Sequence, residues 1–260
     1  MSAVLLTPQI ATVATETTVF NQVVSEQTAQ QTLRPQANPL PGPADASSDG
    51  PQLQWVTAQT SGRASLEQFI AEGFAGVYGA RISHFMPHLL AVSTNSQWQA
   101  VLGIRSAVSG RLFVEQYVDA DMEQLLQSAG VPCKRAEIAE IGNLYAASRQ
   151  QTLLLFIAMA QALQQQGVRH LVCCATPAVM SMLSRHGLAL HVLAEGDPSR
   201  LGAAAADWGS YYEKHPQICH LSLAHAVAII EQQPKLLAML EPWQQMLVGA
   251  AQQLTQEMSH

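Results

Sequence analysis

The spacing of apolar and polar residues changes several times along the chain, and each change predicts an element. After Ser65, apolar residues fall at Leu66, Phe69, Ile70, Phe74 and Val77. That is helical spacing, so a helix capped by Ser65 is expected over 65–77. The runs HLLAVST and WQAVLGIRSA are rich in β-formers and flank the polar turn Asn95-Ser96-Gln97, which reads as an antiparallel hairpin. RLFVEQY follows as a short strand or edge segment, 121–129 as a helix, and AEIAEIGNL as the next strand. Residues 148–166 form a strong helical pattern stopped at Gly167. VRHLVCCAT is continuously apolar in its middle, as a buried strand is. Pro177 opens a helix to about His186, where Gly187 ends it, and LALHVLAE is another strand. From Leu221 the tail carries two helical stretches, broken at Pro234.

This order predicts an α/β fold: a mixed sheet with parallel character where strand–helix–strand units occur. Residues 1–60 differ. They are rich in Gln, Thr, Ser and Pro, and 34–52 lack any period and are dense in turn residues, so they read as a linker or surface arm. Within that region, 13–24 could form a strand or a helix against another chain. The expected organisation is an arm over 1–60, an α/β domain over 61–220 and a helical extension over 221–260.

Composition narrows the function classes. Only 12% of the 260 residues are charged, about half the usual ~25%. Lys and Arg total 13 against 19 Asp and Glu, a net charge of −6. A nucleic-acid partner calls for a basic surplus, so that class is disfavoured. No apolar run reaches the roughly 18 residues a spanning helix needs. No Lys or Arg precedes Arg34 and Pro8 interrupts the first apolar residues, so no secretory signal is expected. The four cysteines, Cys133, Cys173, Cys174 and Cys219, include no CxxC, which fits reduced thiols in a cytoplasmic protein. Cys173 and Cys174 should point to opposite faces of their strand. His84 and His88 are four apart, but Pro87 would break the helical face a zinc pair needs, so no metal is expected.

Five segments in order, YGARISHFMPHLLAV (78–92), VLGIR (101–105), LFVEQYVD (112–119), EIAEIGNLYA (137–146) and DWGSYYEKHPQI (207–218), resemble the bacterial thermostable hemolysin family. The layout of 89–146 is more distantly similar to acyl-homoserine-lactone synthases. Those enzymes have a strand pair ending in an Arg-containing segment, then a strand carrying Glu-x-Ser-Arg. Here Arg105 and Glu140 match, while Gly142 and Asn143 replace the Ser and Arg. The resemblance implies a GNAT-like acyltransferase sandwich, in which a pantetheine thioester lies between two parallel strands that splay apart. By resemblance these are 136–144 and 168–175.

The reaction this resemblance implies, transfer of a fatty acyl group to an amine or amino-acid-like acceptor, needs a base, a polarised thioester carbonyl and exclusion of water. Glu140, mid-strand in an apolar context, suits the base; it could equally be a buried partner of Arg105. Backbone amides of Gly142, Asn143 and Leu144 could polarise the carbonyl, and Gly142 would allow a bulge or close packing. Tyr211 or Tyr212 could protonate the leaving thiolate, the other packing in the core. Glu115 and Tyr117 could border the acceptor pocket, or Glu115 form an edge-strand ion pair. The region before the long helix, LYAASRQQ, lacks the glycines that cradle a diphosphate. The donor read from this is acyl carrier protein (ACP) rather than acyl-CoA, with Ser148 and Arg149 at its single phosphate and Lys134 and Arg135 steering an acidic partner. The acyl thioester is then a cosubstrate, and no permanently bound cofactor is expected. An apolar helix over 153–163 and Met180–Met182 could line an acyl tunnel. A membrane-lytic protein, as the family label suggests, and a non-catalytic GNAT-like module that dimerises through its C-terminal helices are the alternatives.

Overall fold

The computed structural model of the protein describes residues 50–247 except Gln245. The segment 13–24 and most of the linker lie outside the described residues. Among the described residues the sheet has seven strands: β1 (Gln52–Val56), β2 (His88–Thr94), β3 (Gln97–Ser106), β4 (Ile138–Ala146), β5 (His170–Ala175), β6 (His191–Glu195) and β7 (Gln217–Ser222). Their order is β1-β2-β3-β4-β5-β7-β6. Only β4 and β5 run parallel; the other neighbours are antiparallel. The mixed, GNAT-like sheet that the resemblance implied is therefore present, with the parallel pair where it was expected.

One face of the sheet carries α1 (Arg63–Tyr78) and α2 (Met122–Ser128). The other carries α3 (Arg149–Gln165), α4 (Pro177–Ser184), α5 (Leu223–Glu231) and α6 (Pro234–Leu240). In α3 the residues from Leu153 to Ala160 are all buried, because this helix lies under the middle of the sheet. In α1, Leu66 and Ile70 are fully covered, each burial being favourable by roughly 1.5–3 kcal/mol. The hairpin turn is tight: Asn95 and Ser96 both take left-handed φ, 50° and 58°, as a two-residue primed turn requires.

Local departures from the sequence reading have physical causes. Ser65 is not the cap of α1; Gly62 is, and the Ser65 hydroxyl instead accepts from Trp98 Nε1 at 3.0 Å. RLFVEQY is not a strand. Val114–Tyr117 is a 3₁₀ turn, because buried carboxylates capture the amides of Leu112, Phe113 and Val114 at its start. Gln52–Val56, placed with the arm on composition, is an edge strand whose Trp55 and Val56 are buried. Gln217–Ser222 is a strand between β5 and β6, with Leu221 at its end rather than at the start of a helix.

Candidate active site

The face of the sheet that carries α1 and α2 is covered by two separate apolar clusters. One surrounds Leu66, Ile70 and Phe74; the other surrounds Leu112, Met122 and Leu126. Between them the positions of β3 and β4 on this face are Gly103 and Arg105, Glu140 and Gly142. Arg105 and Glu140 are register partners, as are Gly103 and Gly142. On the other side of β4 the parallel ladder has rungs at Ile138–His170, Ala139–Leu171 and Glu140–Val172, and then stops. Both strands run on unpaired with each other, β4 to Ala146 and β5 to Ala175. The gap opens into a cavity of ≈ 160 Å³. Its walls include Arg105 and Glu140, the β4 residues Ile141 to Leu144, the β5 residues Cys173 to Ala175, and Phe156 and Val179 from the far side of the sheet.

A bulge shapes the β4 wall. Gly103 pairs with Gly142 but Val101 pairs with Tyr145, so β4 holds one extra residue there. Asn143 takes up the bend with φ 48°, a conformation Asn tolerates better than most residues. Its Oδ1 accepts from Met86 N at 2.7 Å, which ties the loop before β2 to the bulge. Met86 lies over both glycines: a Cβ on Gly103 or Gly142 would meet its side chain at 2.7 or 2.6 Å. Gly142 is thus both a packing glycine and part of the cavity wall.

Glu140 is 1% exposed. Its Oε2 accepts from Phe113 N at 2.7 Å and its Oε1 from Val114 N at 2.9 Å. Burial pushes its carboxyl up to about 7, against the opposing pull of the two amide bonds and of Arg105. Among the described residues Glu140 makes no ion pair with Arg105, whose guanidinium donates to Arg111 O at 3.3 Å. A carboxylate has about four lone-pair sites, so two remain for a ligand or water.

The whole of this cleft falls inside residues 56–227, the segment matched by the family model described as thermostable hemolysin. The chain belongs to the thermostable hemolysin family. No curated protein matches it in sequence. Among solved structures, it is similar to the acyl-homoserine-lactone (AHL) synthase LasI, at 14% identity over 68% of this chain and 91% of that one, TM-score 0.49. It is likewise similar to FeeM, an N-acyl amino acid synthase from uncultured soil microbes, at 12% identity over 68% and 93%, TM-score 0.49. A third is the aminoglycoside acetyltransferase AAC(6')-Ib in complex with coenzyme A, at 10% over 71% and 99% with TM-score 0.42.

Other residues expected at the site of this hemolysin-family chain are placed as follows. Tyr117 lines the cavity and Glu115 does not. Because the segment is a turn rather than a strand, Glu115 faces inward behind it. Its carboxylate accepts from Leu112 N, Met122 N and Arg135 Nη1, at 2.8, 2.8 and 2.7 Å. Arg135 is spent on Glu115, Glu123 and two carbonyls, so it is not a free steering charge. Of the paired tyrosines, Tyr211 lines the cavity and donates to Cys174 O at 3.0 Å. Tyr212 lies behind Tyr117, the two hydroxyls 2.7 Å apart. Burial pushes all three phenols above their ordinary range. Ser148 caps α3 through Gln151 N, and neither it nor Arg149 lines the cavity. Of the apolar residues expected in a tunnel, Phe156 lines it; Met180 and Met182 pack against the core beside it. Among the described residues no cluster of three His, Cys, Asp or Glu could hold a metal, and no helix is long and apolar enough to cross a membrane.

Phe113 and Trp208 were missed by the sequence reading. Their rings lie 5.5 Å apart, and Trp208 also packs on Phe74 and Tyr211. The segment bearing Trp208 is fastened to α1: Ser210 N donates to Tyr78 O at 2.8 Å. Gly209 there has φ 54° and ψ −130°, and a Cβ would collide with the Tyr78 carbonyl. The Trp-Gly pair was the available signal. Gly209→Ala is expected to cost about 1–3 kcal/mol, read by urea denaturation, with faster hydrogen exchange confined to 207–212 and the end of α1.

Proposed function

We propose that this chain is an N-acyltransferase that moves a fatty acyl group from a pantetheine thioester to an amine. The observation that carries the reading is a buried carboxylate, pushed up to about 7, at the point where two parallel strands part to open a cavity through the sheet. The thioester arm would enter between β4 and β5, where unpaired strand edges offer hydrogen bonds. Backbone amides at the Asn143 bulge would polarise its carbonyl. Glu140 would take a proton from the amine, directly or through one water. Tyr211, the cavity-lining member of the expected pair, is the better placed proton donor to the leaving sulfur. Phe156 and Val179 supply an apolar end for the acyl chain.

The finer reading of the donor is ACP. Ala147-Ser148-Arg149 contains no glycine to bring several amides onto a diphosphate, and the Ser148 hydroxyl is engaged by its own helix. One phosphate, with Arg149 nearby in sequence, is the simpler demand.

The test incubates purified protein with octanoyl and palmitoyl thioesters of ACP and of CoA and a panel of primary amines, with mass spectrometry of the products. The expected result is an amide and one equivalent of free thiol, formed faster from ACP than from CoA. Absence of any amide above a heat-killed control, together with leakage of dye from liposomes by the protein alone, would overturn the reading in favour of direct lysis.

A further inference from the structure

The charges of the cleft specify more than an amine. Arg105 and Glu140 stand directly opposite each other on β3 and β4, and both line the cavity. Residues so opposed have Cβ atoms about 4.5–5.5 Å apart, within easy reach of an ion pair. They do not form one. Glu140 turns its oxygens to the amides of Phe113 and Val114. Arg105 is half-buried, has no carboxylate partner among the described residues, and makes a single long bond to Arg111 O. Arg135 nearby is, by contrast, matched to the carboxylates of Glu115 and Glu123. An unmatched planar guanidinium inside a mostly apolar cleft is suited to a carboxylate that arrives with a ligand.

We infer that the acceptor is an α-amino acid. Its carboxylate is held by Arg105, its amine faces Glu140, and its side chain, aromatic or large aliphatic, packs on Phe74, Tyr78 and Trp208. This rests on the acyl-transfer reading above. The ammonium gives one proton to Glu140, and the freed nitrogen lone pair attacks the thioester carbon. The C–N bond forms and the C–S bond breaks, its electron pair leaving on sulfur. A second proton from nitrogen ends on that sulfur, and the proton on Glu140 returns to solvent. The products are an N-acyl amino acid, a free thiol and one proton.

The test compares L-phenylalanine with L-phenylalaninamide and phenethylamine, two amines of similar shape without a carboxylate, using octanoyl-ACP and octanoyl-CoA as donors. The wild-type protein is expected to prefer L-phenylalanine by about 10–100-fold in kcat/KM, the range of a hydrogen bond to a charged group. In Arg105→Met that preference, measured within the one variant, falls to near unity, mainly through KM for the amino acid. Arg105→Lys keeps the cation but not the fork and retains part of it. If the wild type acylates all three amines equally, or if Arg105→Met keeps the preference, the amino-acid inference falls while acyl transfer stands. If none of the amines is acylated with either donor, acyl transfer itself falls.

Discussion

Glu140→Gln is expected to lower acyl-transfer turnover by about 10²–10⁴-fold, the usual contribution of a positioned base. It should also remove the acidic limb of the pH profile. In the folded protein burial pushes this carboxyl from 4.5 up to about 7. Below that value it is protonated and cannot accept a proton, so the wild-type rate should climb as pH rises through about 7. Stability runs the other way. The folded state holds this proton more tightly than the unfolded chain, so the stabilisation is present below 4.5 and is lost as pH rises through 7. Thermal melts of wild type and Glu140→Gln at pH 5 and pH 8 should therefore show the wild type losing ground to the variant at the higher pH. Glu140→Ala is harsher. It leaves the amides of Phe113 and Val114 without their acceptor, at about 1–3 kcal/mol for each group left buried and unpaired. If Glu140→Gln retains full turnover and an unchanged pH limb, Glu140 only fastens the 112–117 turn and is not the base.

What was legible in the sequence was whatever is fixed locally or along one strand. The hairpin could be read because two β-rich runs flank a short polar turn, and α3 because its apolar content persists for four turns. Parallel character followed from the strand–helix–strand order, and the β4–β5 pair itself from the resemblance. Glu140 and Arg105 came from the resemblance, and their register adds the geometry. What was hidden depends on contacts distant in sequence. LFVEQY is rich in β-formers, yet it folds as a turn because Glu140, from β4, binds two of its amides and Glu115 binds Leu112 N. Ser148 and Arg149 were assigned by analogy to a phosphate; the hydroxyl is needed by the helix that Ser148 begins. Trp208 lies in an irregular segment with no period, so only its packing across α1 reveals it.

Arg135→Met is expected to destabilise the fold strongly, at about 3–5 kcal/mol, the cost of leaving a buried partner charge unpaired. Glu115 has a side chain only 1% exposed. Burial alone would raise its carboxyl, but Arg135 and the amides of Met122 and Leu112 outweigh it and hold it below its ordinary value. That depression gives the fold stability above the unfolded value, lost as pH falls through the folded one. Without Arg135 the burial effect dominates. The variant should then gain stability relative to wild type as pH falls through the carboxylate range, a reversal of slope that a simple packing defect would not produce. Urea melts of Arg135→Met at pH 4.5 and pH 7.5 would show it, and a value within 0.5 kcal/mol of wild type at pH 7.5 would refute it. Glu115 and Glu140 hold the same turn from two sides, so the loss should reach the cleft through Phe113. Glu115→Gln combined with Arg135→Met should recover part of the loss, since the buried charge is then gone; non-additivity in that cycle measures how firmly the pair fixes the wall of the cavity.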